Sequence, residues 1–258
     1  MVGEIAGVDD EVARPPVIGV GDAKVGAALA GGAVVAVPGV GGYCLAVQVG
    51  TPGAEARLEI LAADPDGPHY AVGHRDDVRA LTSGWTDEIE RLLERCWPGP
   101  MDVFLPRAAT GRTGEVPVVR VDGAGEGTGR DESAADDGLG TGEVRIEPED
   151  ADAGGWAVTV GMPEGRALRR LCKEHGPWRT IPLTYNEPTQ VANSFDAADV
   201  ALVVDGGRRD GETPTLVDAT VSPVRVLREG ALPSNFIDAT MAMGARKRFF
   251  GRSRSKES

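Results

Sequence analysis

The chain has 258 residues, 27 Lys and Arg against 40 Asp and Glu, and a formal net charge of −13. That balance excludes a protein that coats nucleic acid over its whole surface, though local basic patches stay open. With 36 Gly and 18 Pro beside 41% hydrophobic residues, part of the chain is not expected in packed core.

Residues 1–16 mix Glu4, Asp9, Asp10 and Glu11 with Arg14 and end in Pro15-Pro16; a loosely attached, partly disordered leader over 1–19 is expected. No run of eighteen apolar residues and no charged-then-apolar leader is seen, so a cytoplasmic protein without membrane contact is expected. Asp22 can cap a helix over Asp22–Ala30, stopped by Gly31-Gly32. The stretch 34–50, VVAVPGVGGYCLAVQVG, reads as an apolar strand, a Pro/Gly turn and a second apolar strand. Its turn has two readings, a glycine cradle for phosphate or a bare strand-to-strand turn. A dinucleotide fingerprint needs a helix opening at the last glycine, whereas Tyr43–Val49 continues as a strand.

A helix with Ala56, Leu58, Ile60 and Leu61 on its apolar side follows Thr51-Pro52-Gly53 and stops before Asp64-Pro65-Asp66-Gly67-Pro68. Tyr70–Gly73 is a short strand, and Arg75–Leu81 and Thr86–Cys96 are helices, the second capped by Thr86. Trp97-Pro98-Gly99-Pro100 ends that helix, and Met101–Leu105 returns as strand.

Residues 108–155 hold 12 acidic and 4 basic residues, supplying −8 of the −13. Apart from VPVVRV (116–121) and EVRI (143–146), this stretch cannot bury enough apolar surface to offset its ordering entropy. It is expected to be an acidic Gly-rich insertion, a solvated loop or an acidic lid. Order resumes with a strand at Trp156–Val160, an Arg-rich helix at Pro163–His175, a strand at Trp178–Thr184, a short helix at Asp196–Asp199 and a strand at Val200–Val204. Thr215–Asp218 and Val224–Arg228 form a closing hairpin, and Pro233–Met243 a last helix. The remainder, 244–258, is a basic tail expected to be disordered. Interleaved strands and helices of this kind predict an α/β (α+β) domain with a mixed sheet. Cys44, Cys96 and Cys172 are too far apart for a metal or disulfide pattern and read as buried thiols; no metal site is expected.

Several stretches in one order carry a resemblance: AVPGVGGYCLA (36–46), ILAADP (60–65), WPGPMDVF (97–104), LTYN (183–186), VVDGG (203–207), PTLVD (214–218) and VLREG (226–230). Together they resemble the YrdC-like threonylcarbamoyl-AMP synthases. The resemblance spans about residues 20–235 and makes 20–243 a single domain interrupted by the insertion. It implies a twisted mixed sheet with flanking helices around a concave, positively charged cavity. It further implies ATP with Mg, threonine and bicarbonate as substrates, threonylcarbamoyl-adenylate and pyrophosphate as products, and tRNA or double-stranded RNA as a partner. Carried over by position, Pro38, Thr184, Asn186, Thr215 and Arg228 become candidates for substrate and nucleotide binding.

The family's Lys-x-Arg-Pro falls on Ala62, Ala63, Asp64 and Pro65, and its Pro-Thr-Glu on Pro38-Gly39-Val40. Phosphoryl transfer needs cations where charge develops. Asp64 near a phosphate would instead be repulsive by about 1–4 kcal/mol at 4 Å. Replacement cations could be Arg57 on the same helix, or His69, His74 and Arg75 beyond the turn. Two function classes follow: a synthase, or a catalytically silent member that binds nucleotide or RNA. In the tail, Arg246, Lys247 and Arg248 are candidates for RNA phosphates, against the plain reading of a solubilising tail.

Overall fold

The computed structural model describes residues 13–63, 67–108 and 157–251, with side chains through Met243. Most of the acidic insertion, VPVVRV, EVRI, Asp64 and residues 252–258 lie outside them. The strands are β1 Val17–Gly19, β2 Val35–Pro38, β3 Tyr43–Gln48, β4 His69–Ala71, β5 Met101–Pro106, β6 Ala157–Gly161, β7 Trp178–Pro182, β8 Leu202–Asp205, β9 Thr215–Asp218 and β10 Arg225–Arg228. The helices are α1 Ala23–Ala30, α2 Ala54–Leu61, α3 Arg75–Leu81, α4 Asp87–Cys96, α5 Arg166–His175, α6 Pro188–Ser194 and α7 Ser234–Gly251.

Among the described residues, all ten strands join one mixed sheet in the order β1-β8-β2-β3-β7-β4-β6-β5-β9-β10. The pairs β1–β8, β2–β8, β4–β6 and β5–β9 are parallel, and the remaining neighbours are antiparallel. The α/β class with a twisted mixed sheet and flanking helices is thus borne out.

Strand alternation sorts the sheet into two faces. One face is apolar along most of its length, with the buried Arg179 guanidinium set over the Tyr70 ring. Ala36, Leu45, Val47, Ile181 and Val203 pack there against Leu58 of α2 and Val191 of α6. Farther along, Tyr70, Met101, Val103, Leu105, Val158, Val160 and Val217 pack against Val78 of α3, Ile89, Leu92 and Leu93 of α4, and Ile237 of α7. The opposite face is covered only in part, where Val35, Val37, Ala46, Trp178, Leu202 and Val204 meet Val25 and Leu29 of α1 and Leu168, Leu171 and Cys172 of α5.

Local chemistry explains most element ends. The Asp22 side chain accepts from Lys24 N at 2.9 Å, and Thr86 Oγ1 accepts from Ile89 N at 3.2 Å, each satisfying an otherwise orphaned helix-start N–H. At the Trp-Pro-Gly-Pro turn, Trp97 Nε1 donates to Met101 O at 2.7 Å, so the indole pins the turn to the first residue of β5.

The structure corrects several boundaries. Val17–Gly19, expected in the leader, is strand β1, paired in parallel with β8. No helix forms at 196–199; the helix lies earlier, at Pro188–Ser194, where Glu187 and Gln190 make a capping box and Pro188 opens the first turn. On α2 only Ala54 and Leu58 are buried, and Ile60 is 84% exposed, because one helical stripe suffices for the narrow contact with the sheet. Helix α7 runs on to Gly251, past the expected end at Met243 and into the stretch expected to be a disordered tail.

Candidate functional site

Where α1 and α5 stop covering the second face, a cavity of about 320 Å³ opens over β4, β5, β6, β7 and β9. Its floor is the sheet itself: His69, Ala71, Asp102, Thr159, Gly161, Thr180 and Leu216 all line it. The registers His69↔Thr180, His69↔Thr159, Asp102↔Gly161 and Asp102↔Leu216 put these residues on one face of five adjacent strands.

One wall is the β2–β3 hairpin. Residues 37–44 line the cavity, and Gly39 N donates to Gly42 O at 2.8 Å, closing the turn. Gly41 sits at φ +77°, and a Cβ there would press on Gly211 O, so this position needs glycine twice over. Because β3 pairs antiparallel with β2, no helix opens at the glycines and the dinucleotide reading falls. Tyr43 anchors the hairpin base: its hydroxyl donates to Gly207 O at 2.9 Å and accepts from Gly206 N at 3.1 Å. Burial pushes the Tyr43 phenol above its usual range, so it stays a protonated donor.

The loop after β8 supplies a cation. Arg209 Nε donates to Gly39 O at 3.0 Å, its backbone N donates to Asn186 O at 2.7 Å, and the residue lines the cavity. Arg228, at the end of β10, lines it from the far side. The deepest charged group is Asp102, only 7% exposed, whose Oδ2 lies 3.4 Å from His69 Nε2. Thr180 Oγ1 donates to His69 O at 3.3 Å and fixes the strand beneath the imidazole. Cys44 also lines the cavity, but burial first and the Asp102 carboxylate second push its thiol up to about 12. Its sulfur is therefore an uncharged wall atom, not a nucleophile.

The sequence candidates separate into three groups. Pro38 and Arg228 line the cavity. Asn186 and Thr215 stand behind its walls and position them. Asn186 Nδ2 donates to Asp210 Oδ1 at 3.1 Å while its carbonyl holds Arg209 N. Buried Thr215 Oγ1 donates to Leu232 O at 2.6 Å and accepts from Gly230 N at 3.0 Å, which ties down the loop after Arg228. Thr184 and Arg57 are exposed away from the lining, Arg57 on α2 across the sheet. Of the replacement cations, only His69 reaches the cavity. His74 caps α3 by accepting from Asp76 N, and Arg75 pairs with Glu94 at 3.5 Å on the surface of α4. Ala62, at the family's lysine position, ends α2 and packs against the apolar core on the opposite side of the sheet from the cavity. Arg246, Lys247 and Arg248 fall on the last turns of α7.

Asp102 and Arg209 were not singled out from the sequence. Asp102 had a signal, a lone acid inside the apolar strand MDVFLP; Arg209 had none, since its loop becomes a wall only when it folds over the hairpin. Among the described residues, no three His, Cys, Asp or Glu side chains converge to hold a metal.

A mixed sheet with helices on both faces and a concave cavity over its uncovered half defines a YrdC-like fold. A family model for the Sua5/YciO/YrdC domain, described as telomere recombination, matches residues 27–119. Among solved structures, Sua5 of P. abyssi is similar at 21% identity and TM-score 0.61, covering 84% of this chain. A second Sua5 structure from that organism, complexed with L-threonine, is similar at 22% identity and TM-score 0.59, with 84% of this chain covered. This chain spans only 55% and 56% of those two Sua5 chains. YciO of E. coli is similar at 18% identity and TM-score 0.58, covering 81% of this chain and 89% of its own. No curated protein sequence matches the chain. The YrdC-like resemblance expected from the sequence is borne out. Among the described residues, no helix is long and apolar enough to cross a membrane.

Proposed function

We propose that this chain is a YrdC-like binding protein of tRNA threonylcarbamoyladenosine chemistry. Its cavity takes the nucleotide and the amino acid of the ATP, threonine and bicarbonate reaction, and turns them over weakly or not at all. The observation that carries this reading is the placement of charge. The cavity's guanidinium groups, Arg209 and Arg228, come from its walls, while its floor holds the buried carboxylate of Asp102. Attack of a carbamate oxygen on the α-phosphate spreads negative charge over the phosphoryl oxygens, and a cation must stand there as it develops. At the family's lysine position Ala62 lies in the core on the other side of the sheet. Loss of one such stabilising donor costs on the order of 10²–10³ in rate. The L-threonine held by the similar P. abyssi Sua5 agrees with an amino-acid ligand here.

Incubation with ATP, L-threonine, bicarbonate and Mg, followed by chromatography for the adenylate, tests the reading. Trace product together with an ATP-induced rise in melting temperature is expected; abundant product overturns the silent part of the proposal. RNA contact is a separate matter for the end of α7, where Arg246, Lys247 and Arg248 share consecutive helical positions. Filter binding with tRNA, with and without residues 244–258, should show a shallower salt dependence for the truncated chain; an unchanged slope removes the tail from consideration.

A further inference from the structure

The Asp102 carboxylate is a buried charge whose neighbours leave it open to the cavity. Asp102 on β5 pairs with Gly161 on β6, and β6 separates β5 from β4, which carries His69. The carboxylate reaches His69 only by lying across Gly161, where a Cβ would collide with its Oδ1. Glycine at 161 thus makes room for a contact across two strand spacings. Among the described residues His69 is the side chain that pairs with Asp102, through one oxygen at 3.4 Å. No backbone or side-chain hydrogen bond to the Asp102 carboxylate is found among the described residues, whereas Asp218, equally buried on the next strand, is held by Thr220 and Arg225. A carboxylate has about four acceptor sites, and a buried polar group left with spare capacity requires a reason.

The surroundings limit what can fill that capacity. An anion is repelled at the floor and finds Arg209 and Arg228 on the walls instead. Thr159 and Thr180 flank the pair with small polar side chains, and the Cys44 thiol beside it is neutral. The cavity is therefore polarised, negative at its floor, with the Arg209 and Arg228 cations on walls that also carry the exposed Glu164. At about 320 Å³ it is at the small end of ligand pockets. Such a field orients a ligand that carries a cation at one end and an anion at the other.

We propose that the His69–Asp102 pair receives the protonated primary amine of a small ligand, an amino acid or a related amine, and sets its orientation amine-first in the cavity. The inference rests on the reading that the cavity holds an amino acid, and adds which end enters and which residues select it. An ammonium supplies three donors to an acceptor-only carboxylate, and such charge-assisted bonds are about twice as strong as neutral ones.

Calorimetric titration of the full chain with L-threonine, L-threoninol and N-acetyl-L-threonine separates the alternatives. Threonine and threoninol, which keep the amine, should bind; N-acetyl-L-threonine, which keeps the carboxylate and hydroxyl but loses the ammonium, should bind at least about tenfold more weakly. Asp102→Asn, close to isosteric, should weaken threonine and threoninol by about tenfold or more while the variant keeps a cooperative melting transition. N-acetyl-L-threonine binding as tightly as threonine, no binding of either amine, or unchanged amine affinity in Asp102→Asn would each overturn the inference. Should Asp102→Asn fail to fold, the three ligands on the unaltered chain decide alone. Failure here with ATP still bound leaves the nucleotide half of the proposed function standing. Abundant adenylate product with the amine pattern intact overturns the silent reading and leaves this one untouched.

Discussion

On one half of a single sheet face, Val35, Ala46, Leu202 and Val204 meet α1 and α5; on the other half, His69, Thr159, Gly161 and Asp102 meet a cavity. The strands are alike in length and pleat, and the registers run continuously from one half to the other through β7. The difference is whether a helix lies on top. Under a helix, an unpaired polar side chain would lose its water without gaining a partner, so the covered half is aliphatic and aromatic. Over the cavity, a carboxylate and an imidazole keep access to a ligand. Along this face of the sheet, polar residues on alternate positions thus mark where the covering layer stops.

The comparison breaks first, and hardest, in the covered half. Leu29, fully buried between α1 and the sheet, should cost about 2–5 kcal/mol as Leu29→Ala, read as a lowered midpoint in urea. The open half should respond with the opposite sign. Replacing the dyad by His69→Leu with Asp102→Leu should leave stability unchanged or raise it by about 1–4 kcal/mol, because a buried carboxylate with a single imidazole neighbour recovers little of its desolvation cost. The same double variant should lose binding of L-threonine in calorimetry. A strongly destabilised double variant would show that the pair holds the fold rather than a ligand.

A smaller effect sharpens the contrast at the wall. Arg209→Ala removes both a cation lining the cavity and the bond to Gly39 O, and should weaken ATP binding by about 1.5–3 kcal/mol in titration, a loss expected of a hydrogen bond from a charged group. Arg57→Ala, exposed on α2, should leave it unchanged.

The mildest test is one of pH. Burial pushes Cys44 up to about 12 and Cys96 up to about 11 from 9.0, and raises Cys172 as well. With folded values raised, the folded chain keeps protons that the unfolded chain releases. Their contribution is complete below the unfolded value near 9 and is lost as pH climbs toward the folded values. Denaturation midpoints should therefore fall between pH 9 and pH 11, and iodoacetamide at pH 8, followed by mass spectrometry, should leave Cys44 largely unmodified although it lines a cavity.

Much of this architecture was legible along the chain because its causes are local. Asp22 and Thr86 cap the helices they were expected to cap, since a side chain two or three residues away either reaches the orphan N–H or does not. Arg75–Leu81 and the hairpin of β9 and β10 follow in the same way from periodicity and turn residues. The helix Pro188–Ser194 was missed although Glu187, Pro188 and Gln190 spell a capping box, because its short run buries only the adjacent Val191 and Ala192, too few to show a helical period. Strand β1 was missed because three residues ending in Gly19 carry little propensity; the parallel partner β8, far along the chain, makes them a strand.

The candidate site was legible only by family position, and position alone could not tell lining from support. Thr215 and Asn186 were expected to touch ligand, yet their bonds go to Leu232, Gly230 and Asp210, and they hold the walls that carry Arg228 and Arg209. The linear pattern was enough for the YrdC-like class, the strand-turn-strand at Gly39–Gly42 and the absence of a lysine at Ala62, because each is a matter of neighbouring residues. The meeting of His69 with Asp102 across Gly161, and the turning of Arg209 into a cavity wall, belong to the folded molecule. They join strands and loops separated by tens to more than a hundred residues, and contacts of that span follow from strand order and register, which no local propensity encodes.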